Sequence, residues 1–420
     1  MLCKIPNTIR ANHEKEYEPE IIAIGPYHRN GGHLGQINPR LKHMEDLKLK
    51  FLNDLCKAAA NNNEDITKED VLKNITTAVQ EKAIDARKKY SESSFNMCTE
   101  DFEKMLILDG SFIVELFIKR KEIFLNEIPI KFLHNALNSL NRDLVLFENQ
   151  IPFFILETIY CCCYQTSNDK NIIKLALDFL HLHEISWEML SEEYFRKNNI
   201  DTVRHLLDLF HVCFVILAKP IGKGKNSTHQ RYRTSMITST ASELKEHGIQ
   251  FRKKGVNSSI SYDISFKNGI IEIPHVNIAD RTSSVYRNLL ALEQSCRCHG
   301  NKFTSYVVFM DDLIDTADDV TLLTKNKILD NNIGSVEEVA KLVNEICIGL
   351  SHNKNHHYLV EVYNEINSYC GRPINKWWAK LMHNYFDSPW TIISLFGVCV
   401  LLTFTIIQTV YSIKSFNNEN

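Results

Sequence analysis

The chain has 420 residues, 44% hydrophobic and 24% charged, with 48 Lys and Arg against 51 Asp and Glu for a net charge of −3. That balance is globular, long enough to bury a large core without disulfides or metal, and its near-neutrality excludes a bulk basic nucleic-acid binder and an acidic solvating tail. With 15 Gly and 10 Pro, collagenous, Pro-rich and low-complexity classes are excluded too.

Ile21–Tyr27 is short, apolar and broken by Gly25-Pro26, so it reads as an extended segment and a turn. Asn30–Gly35 reads as a loop. Helical spacing begins at Asn38-Pro39, with Leu41, Met44, Leu47, Phe51 and Leu55 near one face. A polar break at 61–65 precedes helices over 68–90 and 99–121, and Thr99 is an N-cap candidate for the second. The apolar stretch 143–164 is interrupted by Asn149-Gln-Ile-Pro152. Further helices are expected over 171–183, 188–196 and 201–218. The basic stretch 219–234 reads as a solvated flexible loop, with lipid headgroups or a partner as alternatives. A helix follows over 239–247. Tyr262, Ile264 and Phe266 alternate with polar residues, and Asn268-Gly269 supplies a hairpin turn. Helices then fill 283–298, 303–315, 318–328, 335–350 and 356–386, and no repeat of fixed period is present.

The C-terminal run Trp390–Ile413 holds 24 residues without Asp, Glu, Lys, Arg or His. About 20 such residues span a hydrocarbon core, Trp390 and Tyr411 suit the interface, and Pro389 suits a helix start. The expected fold is therefore mainly α. It comprises a large helical domain over 1–386 with a small β-hairpin element, one transmembrane helix over 390–413 and a short tail over 414–420. Arg372, Lys376 and Lys380 before the span, against Lys414 after it, place the N-terminal part in the cytosol. No signal peptide is visible at Met1–Arg10, and the 12 cysteines show no disulfide-like spacing. The sequons at Asn74, Asn226 and Asn257 would matter only in the opposite orientation.

Several phrases, in order, resemble one plant family. They are Ile24-Gly-Pro-Tyr-His28, Met44-Glu-Asp-Leu-Lys48, the stretch from Asp143 to Phe154, and His205-Leu-Leu-Asp-Leu209. Later come Ser242–Gly248, Asp263–Phe266, Ile271–Pro274, Arg287–Gln294, Tyr306–Met310 and Ser388-Pro-Trp390. The chain is similar to the family called domain of unknown function 247 over nearly its whole length. The resemblance implies a plant-specific, mostly helical protein, usually membrane-anchored at its C-terminus, with no established enzyme activity. Some grass members resemble recognition determinants in self-incompatibility, and others are linked to growth or stress. Relatives usually carry more residues before the first motif, so this N-terminus is expected to be shortened.

Glu148-Asn149-Gln150 is a polar triplet between apolar runs. A pocket or partner contact is one reading. The stronger one is structural: Pro152 favours a first helical turn, where Asn or Gln can satisfy open backbone groups. Asp311-Asp312-Leu-Ile-Asp315 has the DDxxD form that holds magnesium in all-α terpene synthases, since hard cations want carboxylate oxygen. Spacing puts Asp311, Asp315 and Asp318 near one helix face, but no second metal motif accompanies them, and Thr316–Asp319 reads as a cap for the next helix. Cys161-Cys-Cys163 reads as buried small apolar residues rather than a redox or acylation site. Cys296, Cys298 and His299 have ligand types but no distant partner pair of zinc spacing, and His352, His356 and His357 have an i, i+4 relation but lie in a polar Asn-Lys-rich turn. No catalytic residue, cofactor or metal is expected, and no nucleic-acid partner. The expected role is a membrane-anchored recognition or signalling protein acting on a protein partner. The alternative is a magnesium-dependent or hydrolytic enzyme centred on Asp311, Asp312 and Asp315.

Overall fold

The computed structural model describes residues 2–29, 39–61, 66–91, 96–120, 131–164, 170–180, 203–216, 239–255, 263–295, 299–350, 357–372 and 389–418. Expectations for the basic loop 219–234, the helix 188–196, Asn226, Asn257, Cys296, Cys298, His352 and His356 lie outside the described residues.

Helices dominate. A short helix α1 (Asn7–Arg10) and a 3-10 turn (Glu14–Glu16) punctuate an otherwise irregular N-terminal segment. Then come α2 (Pro39–Asn61), α3 (Lys68–Arg87), α4 (Thr99–Ile118), α5 (Lys131–Asp143), α6 (Phe153–Tyr164), α7 (Lys170–Phe179) and α8 (Leu206–Ile216). Helix α3 starts where Thr67 and Asp70 cap each other's backbone N–H groups. For α4 the expected cap shifts by one residue. Cys98 Sγ, not Thr99, accepts the Asp101 N–H at 3.4 Å. Helices α2, α3, α4 and α6 pack on one another, with Phe51 stacked on Phe112 at 5.1 Å between ring centres. Gly110 lets α4 approach α6 closely, since a Cβ there would lie 2.5 Å from Ile159 Cδ1.

The second half mixes helices with two small sheets. After α9 (Ala241–Glu246) come β1 (Gln250–Lys253), β2 (Ser265–Lys267), β3 (Ile270–Ile273) and β4 (Val276–Ala279). Then follow α10 (Thr282–Ser295), α11 (Lys302–Leu313), α12 (Ala317–Lys325), β5 (Leu329–Asn332), α13 (Val336–Ile346) and α14 (Val360–Cys370). The β2–β3 hairpin forms where expected. Asn268 and Gly269 take φ of 52° and 79°, the left-handed pair a tight hairpin demands. Strand order is β1-β3-β2, with β1 parallel and β2 antiparallel to β3, and β4 pairs parallel with β5. The buried apolar side chains of both halves form one continuous cluster.

The transmembrane expectation is corrected. The C-terminal segment is a helix, α15 (Pro389–Asn418), but among the described residues no helix is long and apolar enough to cross a membrane. The uncharged run is interrupted by Thr403, Thr405, Gln408 and Thr409, the threonines returning their hydroxyls to carbonyls of their own helix. The span from Trp390 to Ile413, membrane attachment through it, and the single-pass topology that placed the N-terminal part in the cytosol lose their basis together.

The Phe51–Phe112 contact tests the first-half core. Phe112→Ala should lower the urea-unfolding free energy by about 3–5 kcal/mol with an unchanged denaturant slope.

Candidate functional site

Residues 143–150 form the turn between α5 and α6. A buried turn has backbone groups that neither helix can satisfy, and here its own polar side chains reach out instead. Asp143, Glu148, Asn149 and Gln150 are each no more than 2% exposed. Gln150 Nε2 closes the turn by donating to the Leu144 and Leu146 carbonyls, both at 2.8 Å. Its Oε1 accepts the Leu207 N–H at 3.0 Å, one of the orphan donors in the first turn of α8. The Phe147 N–H donates to Asn288 Oδ1 on α10 at 2.8 Å.

The same turn holds the N-terminal segment as a strap. Asp143 accepts the N–H groups of Glu20, Ile21 and Ile22 at 3.0, 2.7 and 3.0 Å. Asn149 accepts the Ile24 N–H at 2.6 Å and donates to the Ile22 carbonyl at 3.0 Å. Glu148 accepts the Ile5 N–H and pairs with Arg10, which also pairs with Glu18. On α4, Asp109 accepts the Gly25 N–H at 2.9 Å and pairs with Lys48 at 2.7 Å and Arg29 at 2.9 Å. Gly25 has φ 74°, and a Cβ there would run into the Gln150 carbonyl. His28 sits between two acids, its Nδ1 3.2 Å from Glu18 and its Nε2 3.8 Å from Glu148. Buried charges need such partners, because an unpaired one is prohibitively costly.

A second polar cluster continues from α8. His205 is its N-cap, Nδ1 accepting the Asp208 N–H at 3.1 Å, while Asp208 accepts the Arg204 N–H at 2.9 Å. The pair resembles a capping box, except that the aspartate reaches the N–H one residue before the N-cap. His299 Nε2 lies 3.0 Å from Asp208 Oδ1, and the His299 ring stands edge-on to His211 at 5.4 Å. His211 Nε2 is 2.9 Å from Glu293, which accepts the Phe303 and Thr304 N–H groups at the start of α11.

Burial holds His205 down to about 3. For Asp208, burial pushes upward, but the His299 bond, the His205 charge and the Arg204 N–H outweigh it and bring the carboxyl to about 2. Burial pushes Asp143 up to about 6, against the pull of its three N–H donors and Arg142.

The acidic motif does not converge. Helix α11 ends at Leu313, and Ile314 is extended (φ −114°, ψ 96°), so Asp315 leaves the face that Asp311 occupies. Asp311 is half-buried and bonded to the Cys347 thiol, with burial pushing its carboxyl up. Asp312 accepts the Tyr363 hydroxyl at 2.8 Å. Asp315 is exposed. Asp319 accepts from Thr316 and from the Ser242 N–H, so the cap read in Thr316–Asp319 is present. Among the described residues no group of three or more His, Cys, Asp or Glu is arranged for a metal. Cys163 is buried and Cys161 and Cys162 half-buried, with burial pushing the Cys162 and Cys163 thiols up. Pro152 directly precedes α6.

The phrases that wire the core together lie within the span matched by a family profile. A profile described as plant protein of unknown function, DUF247, matches residues 2–404. The chain belongs to this DUF247 family. UPF0481 protein At3g47200 of Arabidopsis thaliana is 30% identical over 436 residues, covering 100% of this chain and 87% of the relative. Putative UPF0481 protein At3g02645 of the same plant is 21% identical over 501 residues, covering 97% and 89%. No solved structure matches.

Sequence reasoning singled out the DUF247 triplet but not its partners. Asp109 carried a signal, one of two acids, with Glu115, inside the apolar run from Met105 to Ile118. Lys48, Asn288 and Glu293 lie inside quoted phrases without standing out. His28 closes a quoted phrase and His299 stood out only as a metal-ligand type, while Arg10 carries no local signal, since its buried partner Glu148 comes from a remote segment.

Two outcomes follow. Asn149→Ala leaves the Ile24 N–H and two carbonyls unpaired, so stability should fall by about 3 kcal/mol, and protease should cleave within 2–29 faster than in wild type. His205 sits below its ordinary value of 6.5, so its contribution is whole above pH 6.5 and is lost as pH falls toward 3. His205→Asn keeps a cap acceptor without titrating. From pH 6.5 to 5 the stability gap should move by about 2 kcal/mol in the variant's favour. Asp143, raised, shifts the other way but equally in both proteins, and Asp208 acts only between 3.8 and about 2. Urea unfolding at the two pH values measures the gap.

Proposed function

We propose that this chain is a recognition protein that works by binding a protein partner, not by catalysis. One observation carries the reading. The polar residues of the shared phrases, Asp143, Glu148, Asn149, Gln150, His205, Asp208 and Glu293, are buried and engaged with the chain's own backbone and side chains. Groups spent on internal hydrogen bonds are poor candidates for moving protons or attacking substrate, which needs reach to a reacting atom. Against the magnesium-dependent or hydrolytic alternative stand the separate engagements of Asp311 and Asp312 and the exposed position of Asp315.

Proximity labelling with the full chain as bait in plant cells tests both readings when paired with the Asp311→Asn, Asp312→Asn, Asp315→Asn triple variant. The same reproducible partners should appear with both proteins, and titrating magnesium chloride into each should give superimposable heats. Recovery of no reproducible partner, or a saturable magnesium isotherm lost in the triple variant, contradicts the proposal.

A further inference from the structure

A groove of about 600 Å³ lies between the β2–β3 turn and α14, within the size range of ligand sites. One wall is a face of α14 carrying Asn364 and Ser368, spaced by four, with Glu365 and Tyr369 beside them and Arg372 just past the helix end. The opposite wall is Phe266 and Lys267 on β2, an edge strand of its sheet, with Asn268 of the following turn. The floor is built, not incidental. Phe266 and Tyr369 meet edge to face at 5.6 Å, and a Cβ on Gly269 would lie 2.7 Å from the Tyr369 hydroxyl. Only glycine there allows the helix to seat against the turn.

The polar groups above that floor differ from those of the buried clusters. Among the described residues, the side chains of Lys267, Asn268, Asn364, Ser368 and Arg372 have no polar partner. Two cations face one acid, Glu365. Unpaired Asn amides are suited to the backbone of an extended peptide. The aromatic floor suits an apolar side chain, and an edge strand is the usual acceptor for an added strand. A small anion would not need the aromatic floor.

The geometry points to this groove as the docking site for an extended, acidic peptide segment of a partner protein. Its carboxylates pair with Lys267 and Arg372, and an apolar side chain rests on Phe266 and Tyr369. This rests on the recognition role proposed above and names the surface and the chemistry it selects.

The test pans a phage-displayed random peptide library on the full chain, then titrates the selected synthetic peptides. Asp- and Glu-rich sequences should be enriched. They should bind at least about tenfold more weakly to Lys267→Glu/Arg372→Glu and more tightly to Glu365→Lys, with affinity falling as salt rises. All three positions are exposed, and circular dichroism checks that the variants fold. Selection of peptides without acidic bias, or unchanged binding by both variants, overturns the groove assignment. Proximity labelling with the double-charge variant separates the two levels. Partners kept by that variant leave the recognition role standing and remove the groove, whereas partners absent from wild type as well remove the recognition role itself.

Discussion

The backbone of the N-terminal strap has no strand to pair with over residues 18–25, and it lies against the core. Each buried N–H there must find an acceptor or cost about 1–3 kcal/mol. Asp143, Asn149 and Asp109 supply those acceptors to five donors, the N–H groups of Glu20, Ile21, Ile22, Ile24 and Gly25. Most of the other buried polar residues can be understood from that requirement. Acids brought inside to serve backbone need cations, and Lys48, Arg10, Arg29 and Arg142 provide them. The glycine at 25 follows from the same closeness, since the strap runs against the Gln150 carbonyl.

The turn also faces the other way. Gln150 and the Asn288 contact tie it to α8 and α10. Beyond them the Asp208–His299 and His211–Glu293 pairs carry the polar wiring to the start of α11. Segments distant in sequence thus share a few buried groups whose loss is felt on several elements at once. A fold held this way gains specificity of arrangement more than raw stability, because apolar replacements of buried ion pairs are often no worse.

What was legible depended on how local the cause is. The Asn268-Gly269 hairpin, the Thr316–Asp319 cap and most helices read correctly because their signals lie within a few residues. Strands β1, β4 and β5 did not, since Val276 finds its partner at Leu329 only in the folded chain. The polar triplet had the expected residue types, but its hydrogen bonds reach past the neighbouring helix to the strap and α8. The DDxxD spacing presumed one continuous helix, and the extended Ile314 breaks it. At the C-terminus, an uncharged run suggested a span that no described helix provides.

Polar groups with no partner among the described residues, around an aromatic floor, set the groove beside α14 apart from this inward-facing wiring. The inward half of the account is the one that carries the rest. Native-state hydrogen exchange in urea addresses it directly. The amides of Ile22, Ile24 and Gly25 in the strap and of Leu207 and Asp208 in α8 should share one opening free energy, close to that of global unfolding. Strap amides that exchange freely while α8 stays protected would contradict it.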